Sequence, residues 1–203
     1  MAQKVIAQGA EAIITLEDNK IIKNRISKSY RIKKLDEKII KLRTRAESKI
    51  LDKARSIINT PKVLKIENDK ITMEYIGGLR LSEHLNNFKK EEQIKICEKI
   101  GKSVSKLHEK NIIHGDLTTS NMILKNDKIY LIDFGLGIQN GKYEDKAVDL
   151  HLLKQALEAK HFKFHKELFE SIKKGYLKID KTESKKVLER LTAVERRGRY
   201  KKH

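Results

Sequence analysis

The sequence predicts an α+β chain folded as one domain of two lobes. A small β-rich N-lobe with one long helix spans residues 1–76, a truncated helical C-lobe spans 77–197, and a basic tail covers 198–203. Three observations predict it. Short β-branched runs bounded by turn residues occur before residue 24 and again at 63–76, on either side of one long helical pattern. Gly77 and Gly78 then separate them from a mostly helical remainder. Within that remainder, residues 113–137, IHGDLTTSNMILKNDKIYLIDFGLG, set Asp116, Asn121 and Asp133 around two apolar runs with the pattern of a β-hairpin.

The N-lobe elements follow in order. Residues 5–16, VIAQGAEAIITL, predict two strands joined through Gly9, Ala10, Glu11 and Ala12. Ile21, Ile22 and Lys23 begin a third strand, and residues 20–45 form a basic stretch in which Asp36 and Glu37 are the acids. A helix is expected over 36–58, with Asp36 as N-cap and Asn59, Thr60 and Pro61 ending it. Residues 63–76 predict a hairpin turning at Asn68 and Asp69, whose end, with Glu74 and Ile76, leads across the lobe boundary as a hinge.

In the C-lobe, residues 81–88 predict a short helix capped by Ser82. Ile94, Cys97, Ile100, Val104 and Leu107 recur at helical spacing and form a core stripe, on which Cys97 is a packing residue. A polar loop over 139–145, a helix containing Asp149 and three further helical stretches complete the lobe. His161 and His165 have the i, i+4 spacing of helical zinc ligands but lack a third ligand, so surface histidines are expected.

Composition limits the function classes. Lys and Arg number 46 against 28 acids, a formal net charge of +18, which favours an anionic partner, with nucleic acid ahead of membrane. A single cysteine excludes an internal disulfide and suits a reducing compartment. The N-terminus lacks a leader pattern and no apolar run approaches the ~20 residues of a membrane helix, so a cytoplasmic protein is expected.

The chemistry lies in residues 116–135. Phosphoryl transfer from ATP needs a divalent metal against the phosphates and an oriented nucleophile. Mg²⁺ prefers oxygen ligands, which Asn121 and Asp133 can provide, leaving Asp116 to accept the proton of an attacking hydroxyl or to position a water. D-x-x-x-x-N followed by D-F-G is the protein-kinase signature. Other kinase parts can be located from it. Lys23 takes the place of the strand lysine and Glu47 that of its helix partner; an edge-strand lysine and a pairing of Glu47 with Arg43 or Arg45 are the plain alternatives. Gly9 to Ala12 stand where a phosphate loop would run, although an ordinary hairpin turn fits equally well. Glu74 and Ile76 would offer hinge backbone to an adenine edge. Arg196, Arg197, Arg199, Lys201 and Lys202, near Tyr200, fit either a solvated end or an RNA grip.

HGDLTTSN, IDFGLG, DKAVDL and VERRGRY together resemble the small atypical, RIO-like kinase/ATPase family of the KEOPS tRNA-modification complex. The resemblance covers nearly the whole length. It implies a bilobal protein-kinase-like fold with ATP and Mg²⁺, Lys23 and Glu47 as an ion pair, Asp116 as catalytic aspartate, Asn121 and Asp133 as metal ligands, and Asp149 as a brace behind the catalytic loop. It further implies ATP hydrolysis or serine phosphorylation supporting threonylcarbamoyl transfer to tRNA beside the anticodon. The transfer itself would fall to a separate metal-dependent subunit, with the other KEOPS subunits and tRNA as partners. Two departures from ordinary protein kinases bear on mechanism: Gly115 replaces the arginine of H-R-D, and Thr118 stands where many kinases place a lysine. No A-P-E follows D-F-G, which disfavours the alternative of a free RIO-type Ser/Thr kinase. A nucleotide-binding tRNA scaffold without turnover is the other alternative.

Overall fold

The computed structural model describes residues 4–199, with side chains to Arg197. The N-lobe sheet comprises β1 (Lys4–Gln8), β2 (Ala12–Glu17), β3 (Lys20–Arg25), β4 (Val63–Ile66) and β5 (Lys70–Glu74), antiparallel in the order β1-β2-β3-β5-β4. Asp18 and Asn19 turn β2 into β3 at φ 47° and 59°, a left-handed pair that Asp and Asn tolerate and a two-residue hairpin requires. The register sets Lys23 opposite Ile14 on one side and Ile71 on the other, at the centre of the sheet.

Helix α1 (Lys33–Arg55) packs on this sheet. It begins before the expected 36–58 span, with Ile32 at the N-cap position, so Asp36 does not cap it. Asp36 lies buried in the first turn and accepts from Ser27 Oγ (2.6 Å), Lys28 N (3.0 Å) and Arg31 Nη1 (3.1 Å). Three donors from the preceding loop outcompete the local capping geometry, and the hydrogen bond from Ser27, with the others, holds this carboxyl below its ordinary range despite burial.

The C-lobe runs β6 (Leu79–Arg80), α2 (Leu81–His84) with a 3₁₀ turn over Leu85–Asn87, α3 (Lys90–Glu109), β7 (Ile112–Ile113), β8 (Met122–Lys125), β9 (Lys128–Leu131), β10 (Ile138–Gln139), α4 (Tyr143–Lys160), α5 (His165–Tyr176) and α6 (Lys181–Arg199). Arg80, not Ser82, occupies the N-cap position of α2. Among the described residues, two helices follow α4 where three were expected; α5 fills the span before the last of them, and Val187, Leu191 and Val194 pack along α6 as that stripe predicts. Two glycines let α3 and α5 pack with backbones in close approach: a Cβ on Gly101 would lie 2.0 Å from Ile172 O, and one on Gly175 2.1 Å from Glu98 O. Cys97, Ile100, Val104 and Leu107 are fully buried on α3, and burial pushes the Cys97 thiol up to about 12, as suits a packing residue. Asn59 ties the end of α1 to the C-lobe hairpin, its main-chain oxygen accepting from Leu131 N at 3.1 Å.

Among the described residues, no helix is long and apolar enough to cross a membrane.

Candidate active site

The cleft between the lobes has a volume of about 250 Å³, and its lining includes Lys23, Glu47, Ile76, Asn121 and Asp133. Lys23, buried on β3, places Nζ 2.7 Å from Glu47 Oε1 and 2.6 Å from Asp133 Oδ1. One lysine therefore joins the sheet, α1 and the D-F-G segment. Glu47 is also buried, and its other oxygen takes Arg25 Nη2 at 2.6 Å. The intrahelical pairing of Glu47 with Arg43 or Arg45 does not form; Arg43 instead reaches Glu11 at 2.7 Å. The kinase motifs do not include Arg25, although the sequence carries a signal for it: it follows Lys23 by two residues on one strand, so both side chains share a face.

On the C-lobe side, the hairpin β8–β9 turns through Asn126 and Asp127 at φ 48° and 60° and sets Asn121 and Asp133 at its two ends. Asn121 Nδ2 donates to Asp116 O and to Asp116 Oδ2, both at 2.9 Å. That orientation leaves Asn121 Oδ1 able to accept, and Asp116 Oδ1 has no competing donor among the described residues. Asp133 Oδ1 accepts from Lys23 and from Gly135 N (3.2 Å), which leaves Oδ2 for a cation. Burial opposes ionisation of Asp133, yet the Lys23 charge and these hydrogen bonds outweigh it and hold the carboxyl below its ordinary range. A carboxylate oxygen and an amide oxygen facing one cleft are a donor set that fits Mg²⁺.

Asp149 on α4 braces the loop from behind. Its Oδ1 accepts from Gly115 N (2.8 Å), and its Oδ2 accepts from His114 N (2.7 Å) with His108 Nε2 at 3.2 Å. His114 is fully buried against Phe134, and desolvation keeps its pKa below the usual histidine value despite nearby acids. The neutral ring donates from Nε2 to Ile132 O (3.0 Å) and accepts Asp116 N–H at Nδ1 (3.3 Å). Gly115 stands at φ +81°, and a Cβ there would lie 2.2 Å from Leu136 O. The departure from H-R-D thus has a steric cause, for no arginine fits between the catalytic loop and the segment after D-F-G.

Some expected residues lie elsewhere. The turn of Gly9, Ala10, Glu11 and Ala12 does not line the cleft. The Gly9 N–H is used within the turn (to Ala12 O, 3.0 Å), Ala10 O accepts from Lys28 Nζ, and Glu11 pairs with Arg43. At the hinge, Glu74 and Ile76 do line it, and the Ile76 N–H has no hydrogen-bond partner among the described residues. Arg197 is drawn to Glu144 on α4, Arg196 is exposed, and Arg199 ends α6. Lys201 and Lys202 lie outside the described residues. His161 is not a surface histidine: it follows the last residue of α4, is buried, and sets its ring between Asn86 Oδ1 (2.7 Å) and Thr119 Oγ1 (3.1 Å).

The RIO domain family profile matches residues 10–146. The chain is 43% identical to the KEOPS complex subunit Bud32 of Pyrococcus abyssi, over 98% of this chain and 96% of that protein. It is 38% identical to a probable serine/threonine-protein kinase BUD32 homolog of Archaeoglobus fulgidus, over 95% of this chain and 94% of the other. A probable bifunctional tRNA threonylcarbamoyladenosine biosynthesis protein of Methanobrevibacter smithii is also 38% identical; the alignment takes in 98% of this chain but only 37% of that longer protein. Among solved structures, the streptomycin-ATP-APH(2")-IIa ternary complex superposes with a TM-score of 0.56 at 13% identity, over 85% of this chain and 81% of that one. At that identity the likeness establishes the protein-kinase-like fold and nothing finer.

Proposed function

The chain belongs to the RIO domain family, and from that premise we propose that it is the ATP-dependent ATPase/serine-threonine kinase subunit of a cytoplasmic KEOPS complex, supporting threonylcarbamoyl-adenosine modification of tRNA. One minimal kinase domain, divided at the hinge near residue 76, carries the activity. The observation that carries this reading is the convergence of Lys23, Glu47, Asn121 and Asp133 on one cleft, with Asp116 hydrogen-bonded to Asn121, through contacts of 2.6–2.9 Å.

Each residue has a task. Lys23 presents a point charge to the α- and β-phosphates, and Glu47 holds it in place. The Ile76 N–H offers a donor to the adenine edge. Asn121 Oδ1 and Asp133 Oδ2 would hold Mg²⁺, whose charge, when bound, offsets that of the phosphates. Asp116 Oδ1 accepts a hydrogen bond from water or a serine hydroxyl and takes its proton as the oxygen attacks the γ-phosphorus and the bond to ADP breaks. The partners are the other KEOPS subunits, including the metal-dependent threonylcarbamoyl transferase, and tRNA, toward which Arg196, Arg199, Lys201 and Lys202 supply cations.

The test follows γ-labelled Mg-ATP with the full chain, with and without tRNA and the transferase subunit, beside Asp116→Ala and Asp133→Ala. Inorganic phosphate released by the assembly and lost in both variants is the expected result. Label retained on a protein serine would move the function to phosphorylation. Turnover that persists in both variants would overturn the assignment of the site.

A further inference from the structure

Lys23 and Arg80 are the two cations among the described residues lining the cleft, which also carries Glu47, Glu74 and Asp133. Lys23 is held by carboxylates at 2.6 and 2.7 Å. Arg80 is not: its nearest acid is Glu83, with Nε 3.9 Å from Oε1, beyond hydrogen-bond reach. The backbone fixes where Arg80 faces. It stands on β6 directly opposite Ile123 of β8, and residues paired across antiparallel strands direct their side chains to one face. Ile123 lines the cleft and lies two residues beyond Asn121. Arg80 therefore shares the cleft floor with the proposed metal-binding asparagine, while its guanidinium makes no hydrogen bond among the described residues. A guanidinium held only by a 3.9 Å ion pair, beside a site built for a polyanion, is placed to donate to it, because its fork of N–H groups matches phosphate oxygens. It also answers a deficit, since Thr118 puts no positive charge where many kinases have a lysine.

We infer that Arg80 is a nucleotide-binding residue that contacts the phosphates of ATP from the C-lobe side of the cleft. The inference rests on the nucleotide reading of that cleft and adds to it the second protein cation of the site. The side chain is 42% exposed and contributes nothing to the core, so its replacement leaves the fold intact.

The experiment measures Kd for ATP, ADP and adenosine, in Mg²⁺ buffer, with the full chain, Arg80→Ala and Arg80→Lys. Arg80→Ala is expected to raise Kd for ATP and ADP about tenfold, ~1.4 kcal/mol, and to leave adenosine within about twofold. Arg80→Lys should recover part of the loss, as the charge is kept and the fork is not. Unchanged affinity for all three, or an equal loss that includes adenosine, would overturn the phosphate contact. A wild-type chain that binds neither ATP nor ADP would instead overturn the nucleotide reading, and this inference with it.

Discussion

Replacing Arg25 with methionine tests the internal support of the site. Arg25 and Glu47 are both buried, with side-chain exposures of 6% and 1%, and meet at 2.6 Å. Breaking a buried ion pair by removing one partner costs about 3–5 kcal/mol, because the other charge is left uncompensated. Glu47 keeps Lys23 at 2.7 Å, so the loss here belongs at the lower end, about 3 kcal/mol. For a chain of this size that lowers Tm by roughly 6–12 °C. The assay is urea unfolding of wild type, Arg25→Met, Glu47→Gln and the double variant. Because the two residues share one contact, the double variant should lose less than the sum of the singles, with a coupling of about 2 kcal/mol. Additive losses, or an Arg25→Met chain within about 0.5 kcal/mol of wild type, would refute the claim that this pair carries the load.

Two further outcomes follow from the catalytic loop. Gly115→Ala adds a methyl 2.2 Å from Leu136 O at a left-handed backbone position, so it should abolish turnover and destabilise the chain by about 2–3 kcal/mol, measured by ATP hydrolysis and urea unfolding; wild-type values for both would contradict the steric account. Asp149→Asn turns an amide donor toward donors of the loop and should cost about 2–4 kcal/mol near neutral pH. Burial works against the Asp149 carboxylate, but the hydrogen bonds from His108 and the His114 N–H hold its pKa below the ordinary 3.8. A depressed carboxyl contributes stability that is fully present above that value and is lost as pH falls through the folded one. The gap between wild type and Asp149→Asn in urea midpoint should therefore stay constant from pH 7 to about 5 and narrow below about 3.8; a gap that narrows already at pH 6 would point to another group.

The parts of the site that could be found in the sequence lie in one stretch, where Asp116, Asn121 and Asp133 are spaced by a tight loop and a hairpin whose turn residues are themselves diagnostic. Lys23 on its strand and Glu47 on the long helix were legible only through that stretch, since local pattern alone also fits an edge-strand lysine and an intrahelical pair. What escaped was set by partners that the local rules do not include. Asp36 fits the local rule for an N-cap, yet Ser27, Lys28 and Arg31 claim its oxygens and the helix starts earlier. His161 shows a zinc-like spacing, but its buried ring belongs to Asn86 and Thr119, neither of which is near it in sequence. Gly115 shows only a missing arginine until Leu136 O is seen pressed against it.

Arg25 is the instructive omission, because the site needs it for a reason the kinase motifs do not contain. Lys23 stands between Glu47 and Asp133, and if it also serves a phosphate, as proposed, it cannot keep both carboxylates at full strength. Asp133 can be compensated by the cation that arrives with the nucleotide. Glu47 has no such compensation in the proposed site, since the cation is assigned to Asn121 and Asp133 and the Glu47 side chain is only 1% exposed. If Lys23 turned toward phosphate without a substitute, Glu47 would be left as an isolated buried charge, a cost that would draw the lysine back or push α1 outward. Arg25 supplies the substitute from the same face of the same strand, so on the proposed reading Lys23 would be free to shift toward the nucleotide while Glu47 and α1 stay where they are.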